Sequence, residues 1–244
     1  MFKHFQILLI LLSLSLCGCD RFSDSTPSPK VKVIDHPPVD WAISGKRLAE
    51  SGCSGVLKED CAELIALGCD EIAAPHFYSG GLNPPYPIGE CIHQGDEPPD
   101  PAYFRRPPGL DSRFRSFVVF LKDEYRLIIK QSEFREIFAP VESAEEALSY
   151  AMGMTSLWAE YSLDPNANVK YLVDVIEETY VEETPAGYVV HLFDSDRRMG
   201  CVTDTIYAVD VLVTPEGEIE VINREAVFTR DACYDFGVLV LDQD

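Results

Sequence analysis

Cations are what this chain has least of: 20 Lys and Arg stand against 41 Asp and Glu, a formal charge of −21 at pH 7. That shortage argues against nucleic acid and against an anionic lipid surface as partners, because like charges repel both. The acidic residues are dispersed rather than blocked, so they read as a well-solvated surface, open to cationic partners or divalent ions. Compact signatures of chemistry are missing as well. There is no Cys-x-x-Cys pair, and only Cys91 and His93 bring a cysteine close to a histidine, so a zinc or thiol redox centre has little to build on. Gly-x-Ser-x-Gly and Ser-x-x-Lys are absent, which removes those two hydrolase patterns. Gly80-Gly81 is too short to cradle phosphate, and no lysine follows it as in a P-loop. No apolar run reaches the roughly 20 residues of a membrane-spanning helix.

What is present begins with Lys3 and His4, an apolar run from Ile7 to Leu16, and Leu16-Cys17-Gly18-Cys19. A charged start, a hydrophobic stretch and a small-residue cut site make a secretory signal peptide. Its end resembles the lipobox of bacterial lipoproteins: an aliphatic residue three before the cysteine, small residues between, then the cysteine. The resemblance implies a diacylglycerol thioether on Cys19, cleavage of Gly18–Cys19 and an acylated amino terminus, with the lipid bilayer as partner. Cys17 suits that role less well, because bulky Leu16 would precede the cut. Ordinary signal peptidase cleavage, leaving Cys19 for a disulfide, is the alternative. Buried acyl methylenes contribute about 0.8 kcal/mol each, so two or three long chains anchor stably. Asp20 implies, by lipoprotein sorting, retention on the outer face of the cytoplasmic membrane, the periplasmic side in a host with two membranes.

These signals divide the chain into a leader at 1–18, a lipid anchor and flexible tether at 19–40, a cysteine-rich, loop-rich subdomain at 41–112 and an α+β domain at 113–244. Removing the leader leaves 244 − 18 = 226 residues and, since only Lys3 is lost, a balance of 19 − 41 = −22. The stretch 20–40, with Pro27, Pro29 and His36-Pro37-Pro38, is polar and rich in breakers, the material of a tether. Eight cysteines less Cys17 and Cys19 leave six, an even number that reads as disulfides in an exported chain. Cys201 is expected to pair with Cys233, a cross-link worth on the order of 3 kcal/mol. Cys53, Cys61, Cys69 and Cys91 are expected to pair among themselves.

Leu48, Cys53, Leu57, Cys61, Leu64 and Ile65 recur at helical spacing, interrupted by Gly52 and Gly55, and Gly68 should end that pattern. Prolines and glycines crowd 75–112 so densely that no long element is expected there. Phe117–Leu121 and Tyr125–Ile129 around a charged turn predict a hairpin. Ser132 should cap a helix through Phe138, stopped by Pro140, and Ser143-Ala144-Glu145-Glu146 is a capping box opening a helix to about Tyr161. Period-two runs follow at 171–181, 187–193, 203–213 and 218–228, with a fifth at 237–241. A helix packed on an antiparallel meander is an α+β architecture.

Candidate sites are sparse. Asp164-Pro165-Asn166-Ala167-Asn168 copies the start of a calcium loop, but Val169 and Val175 stand where glycine and a bidentate glutamate are needed, so a turn is expected. His76 and His93, with Asp70, Glu71 and Glu90 nearby, are read as solvent-exposed loop residues, and His191 as a satisfied sheet-face histidine. Arg105-Arg106 and Arg197-Arg198 are basic pairs able to catch a carboxylate or phosphate, with solvated charge the plainer reading. Phe77, Tyr78 and Tyr86 lie in a rigid proline-rich run suited to recognition or to plugging the core of the disulfide-bound region.

From Ser143 to Phe228, Glu145-Glu146-Ala147 at a helix start and Gly187-Tyr188-Val189-Val190 opening a strand resemble PepSY-like domains of exported bacterial proteins, from which the cysteines depart. The resemblance implies recognition or modulation of proteases rather than catalysis. The expectation is therefore a tethered extracytoplasmic binding or accessory module, with an envelope protein as partner and with no cofactor, metal or catalytic residue assigned. A small hydrolase or metal-dependent enzyme using His76, His93 or His191 with carboxylates is the alternative.

Overall fold

The computed structural model describes residues 29–34, 61–73, 75, 80–93, 103–105, 114–165, 167, 169–196, 200–235 and 238–240, with the backbone alone at 200–202 and beyond 231. The architecture is α+β, two antiparallel sheets with helices packed between them.

The first sheet holds β2 (Glu71–Ala73), β3 (Ile88–His93), β4 (Phe104–Arg105), β5 (Phe114–Leu121) and β6 (Glu124–Ile128), with β1 (Lys30–Lys32) elsewhere. β5 pairs with β3 along one edge and with β4 and β6 along the other. The expected hairpin is present, its two-residue turn at Lys122 and Asp123 having positive φ at both positions, as a tight strand reversal requires. β3, a six-residue strand, corrects the expectation that no long regular element survives in 75–112. Its residues are all buried, and pairing on both sides outweighs the flanking breakers. That pairing also carries one sheet across the expected boundary at 112/113.

Two helices cover the inner face of this sheet. The first two-turn helix, α2 (Gln131–Phe138), follows a single-turn α1 (Ala62–Ile65). α2 starts earlier than a Ser132 cap would allow, because Glu133 reaches back to accept from the Ile129 and Lys130 amides at 3.0 and 3.1 Å. In α3 (Ala144–Met154) half of the expected capping box forms: Ser143 Oγ accepts from the Glu146 amide at 3.2 Å, whereas Glu146 accepts from the Glu142 amide, one residue before the cap, at 2.6 Å. This helix ends seven residues before the expected Tyr161. Thr155 Oγ1 donates to the Ala151 carbonyl at 2.7 Å, and the chain then turns extended so that Trp158 bridges to Phe193.

The second sheet runs β13 (Val238–Val240), β12 (Ile219–Asp235), β11 (Gly200–Val213), β10 (Gly187–Ser195) and β9 (Tyr180–Thr184) in that order. The expected single strand at 171–181 is instead three pieces: β7 (Lys170–Tyr171) on β12, β8 (Val175–Glu177) parallel to β1, and β9 on β10. Lys30–Lys32 is thus a strand inside the segment expected to be tether. Gly217, at φ 78, forms the β11–β12 turn, and a Cβ there would stand 2.6 Å from the Tyr150 hydroxyl, which donates to the Gly217 carbonyl at 2.8 Å.

The main core lies between the sheets, joining Ile88, Phe117 and Val119 to Phe134, Leu148 and Met152 and on to Val190, Leu192, Val209 and Val211. Phe134 sits at its centre, with ring centroids 5.2 Å from Phe117, 4.7 Å from Phe138 and 5.6 Å from Tyr150. A smaller cluster backs the first sheet, where Leu64 of α1 packs on Ile72, Cys91 and Val118. It is stapled by the Cys69–Cys91 disulfide; Cys61 is disulfide-bonded too. A third cluster lies on the far side of the meander, under the segment from Trp158 to Ile176. Cys201 and Cys233 are register partners across β11 and β12, a placement that fits their expected pairing. No helix among the described residues is long and apolar enough to cross a membrane.

Candidate functional site

At the margin of the main core, the two sheets part into a cleft of about 670 Å³, within the range of small-ligand sites. One lip is Tyr103, Phe104 and Arg105 with the start of α2, Lys130, Gln131 and Ser132; the floor is the end of α3 and Leu157; the other lip is Asp194 and Val209 with Ile219, Val221 and Arg224 of β12.

The floor is fixed by a buried guanidinium. Arg115 on β5 is fully buried and donates through Nη2 to the carbonyls of Met152, Gly153 and Thr155 at 3.0, 3.2 and 2.8 Å. Those carbonyls carry the negative end of the α3 dipole, so a cation suits them. Glu90 on β3, also fully buried, stands 3.7 Å from the same guanidinium. Gln131 adds a further donor to the Met154 carbonyl at 3.0 Å. Hydrogen bonds and an ion pair therefore join the first sheet, α2 and α3 at the floor.

The two lips carry charge differently. Arg224 lies 3.4 Å over the Tyr207 ring and reaches Asp194 at 3.2 Å and Asp196 at 3.1 Å. The Tyr207 hydroxyl also donates to Asp196, and that hydrogen bond, with burial and the carboxylate charge, holds its pKa above the ordinary value. The Arg224 charge is thus consumed locally. Arg105 and Lys130 are exposed, and neither has a carboxylate partner among the described residues. Two available cations in a chain of net −21, beside the apolar walls of Phe104, Leu157, Ile219 and Val221, suit an anionic ligand with an apolar part.

The histidines lie elsewhere. His93 is a buried strand residue, which corrects its reading as an exposed loop residue: Nε2 is 3.0 Å from Ser116 Oγ and 3.5 Å from Cys91 Sγ, and the ring meets Tyr103 edge-on at 4.4 Å. Burial pushes its pKa below the ordinary value, partly opposed by Asp70. His191 is the sheet-face residue expected, within a polar row on the far side of the meander. Tyr180, His191, Asp210 and Asn223 are consecutive register partners across β9, β10, β11 and β12. Nδ1 of His191 is 2.6 Å from Asp210, whose other oxygen accepts from Asn223 at 3.0 Å. The His191 hydrogen bond, against burial, lowers the Asp210 pKa, with Asn223 helping. Tyr180 stacks on the imidazole at 4.9 Å. Nε2 of His191 is buried without a hydrogen-bond partner.

The other expected residues scatter. Tyr86 packs against the main core rather than the disulfide-backed cluster. Asp164 makes the expected turn, its carbonyl accepting from the Ala167 amide at 3.0 Å. Gly81 serves packing, donating to Ser149 Oγ at 2.8 Å where a Cβ would strike the Glu145 carbonyl. Cys19, Cys53, His76, Phe77, Tyr78, Arg106, Arg197 and Arg198 lie outside the described residues. No group of three His, Cys, Asp or Glu able to hold a metal occurs among the described residues. Of the cleft, only Arg105 stood out as a candidate in the sequence. Comparison with protein-family models, with curated proteins and with solved structures finds no match for this chain.

Proposed function

We propose that this chain is an extracytoplasmic accessory module, tethered to a bilayer through acylated Cys19, that works by binding an envelope partner at the cleft between its two sheets. The observation that carries the binding part is the pair of exposed cations, Arg105 and Lys130, without a carboxylate partner among the described residues, on a partly apolar cleft in a strongly acidic chain. Charge of the rarer sign gathered at one concave site is more economically read as recognition than as solvation. Among the described residues the cleft lining includes no histidine or cysteine, and His93 and His191 spend their bonds within the sheets. The hydrolase alternative draws on the His191–Asp210 pair, which has the form of a base and its orienting carboxylate. Its outer nitrogen, however, is buried and away from the cleft.

Two readouts test the proposal in one bacterial host. Palmitate label should enter the full chain and disappear in Cys19→Ala; an unlabelled mature product would reject the tether. A photo-crosslinking side chain at Ser132, on the cleft rim, should capture a discrete partner that the same group at Glu124, outside the cleft, does not. Equal capture at both positions would reject the cleft as the site.

A further inference from the structure

β12 forms one lip of the cleft, and its outer edge there is open. The strand gives Phe228 and Thr229 to β7 and Cys233–Asp235 to β13, and the Val227 carbonyl accepts from the Leu172 amide. From Ile219 to Ala226 it has a strand partner on the β11 side alone, among the described residues. An open edge is a template for another strand, and proteins ordinarily blunt it with charge or a bulge. Here Glu220, Arg224 and Glu225 and the register shift at Ile222 supply that protection. Yet Val221 and Ile222, 55% and 50% exposed, rank among the few large apolar side chains open to solvent. Both are β-branched, the type that suits strand pairing.

We infer that this edge takes up an extended peptide by strand addition, and that a carboxylate of the peptide is held in the cleft by Arg105 and Lys130; the inference rests on the binding reading above and names its ligand class. Strand addition supplies main-chain hydrogen bonds, and every second side chain points to one face. Ile219 and Val221 show which face that is, since both line the cleft. Eight residues from Ile219 to Ala226 offer about 26 Å of edge at roughly 3.3 Å per residue, room for a short peptide. A second copy of this chain is the other conceivable strand, but it would bring a further −21 of charge against the first. A carboxylate-bearing peptide meets the two cations instead.

The test uses the purified full-length lipidated chain in detergent, with a displayed library of random peptides about eight residues long having free carboxyl ends. Selected peptides are then measured by fluorescence anisotropy. Methylating alternate backbone nitrogens of the peptide should weaken binding at least about tenfold, as should the double variant R105E/K130E. Amidating the peptide's carboxyl terminus should do the same where the terminal carboxylate is the one held; replacing an Asp or Glu side chain by its amide should do so where a side chain supplies it. Because methylation alters the ligand, it stays informative even where the double variant misfolds. Selected peptides indifferent to methylation, indifferent to both carboxylate replacements or unaffected by R105E/K130E would overturn the inference. So would failure to select any saturable binder, or a concentration-dependent dimer disrupted by R105E/K130E. Capture at Ser132 together with any of these failures would leave the accessory reading standing and remove only its peptide ligand.

Discussion

The two sheets spend their polar residues in opposite ways. The first buries Glu90, His93, Arg115 and Ser116 inside short strands closed on both faces, and each of these groups bonds a neighbouring element. The second is built of long strands and leaves Glu220 to Glu225 of its last full strand exposed beside the cleft. Charge buried in the first sheet's strands fixes shape, whereas charge on the cleft rim, at Arg105 on the edge strand of that same sheet as well as along β12, stays exposed. The same residue type, arginine, therefore means different things at Arg115 and Arg105, and only burial and partners tell them apart.

That contrast breaks most sharply at Arg115. Arg115→Met should cost about 3–5 kcal/mol in urea unfolding, because it strands Glu90 in the interior and uncovers three carbonyls. Adding Glu90→Gln should recover part of that cost. A loss below about 1 kcal/mol would mean that the pair does not hold the sheet to α3. Replacing Cys69 and Cys91 together by alanine should remove about 3 kcal/mol, from the loop of 22 residues that the bond closes. Protease digestion should then nick the α1 side before the meander.

In the second sheet Asp210→Asn should cost about 1–3 kcal/mol at neutral pH, since it weakens a charge-assisted bond to His191. Asp210 is depressed in the fold, so its contribution is complete above the ordinary carboxylate range and fades as pH falls through its folded value. The variant should accordingly lose less stability than the parent on acidification below about pH 4. His93 titrates in a different window. Its folded pKa is lowered, so the unfolded chain binds the proton first and stability declines as pH falls below about 6.5; His93→Gln should flatten that decline. Smallest of all, Arg105→Ala and Lys130→Ala should each change stability by less than about 0.5 kcal/mol while weakening peptide capture.

How much of this was legible in the sequence depended on range. Local signals read true: the Ser143 cap, the turn at Lys122-Asp123 and the period-two strands of the meander all rest on neighbours within a few residues. Tertiary pairing overrode local signals elsewhere. β3 is a buried strand among prolines because β2 and β5 flank it, and α3 stops at Met154 because a guanidinium forty residues earlier in the chain takes its last carbonyls. The run 171–181 is broken because three different partners claim its parts. The cleft was nearly invisible. Arg105 drew notice as half of a basic pair, but Lys130 and Arg224 are single cations whose meeting depends on the approach of two sheets, and no spacing rule encodes that.

Hydrogen exchange on the full chain, with and without a selected peptide at saturation, distinguishes strand addition at β12 from any other mode of binding. Binding at the open edge predicts slowed exchange of amides within residues 219–226 and no change in Ile88–His93, already paired on both sides. Unchanged exchange along 219–226 in the saturated complex would contradict it.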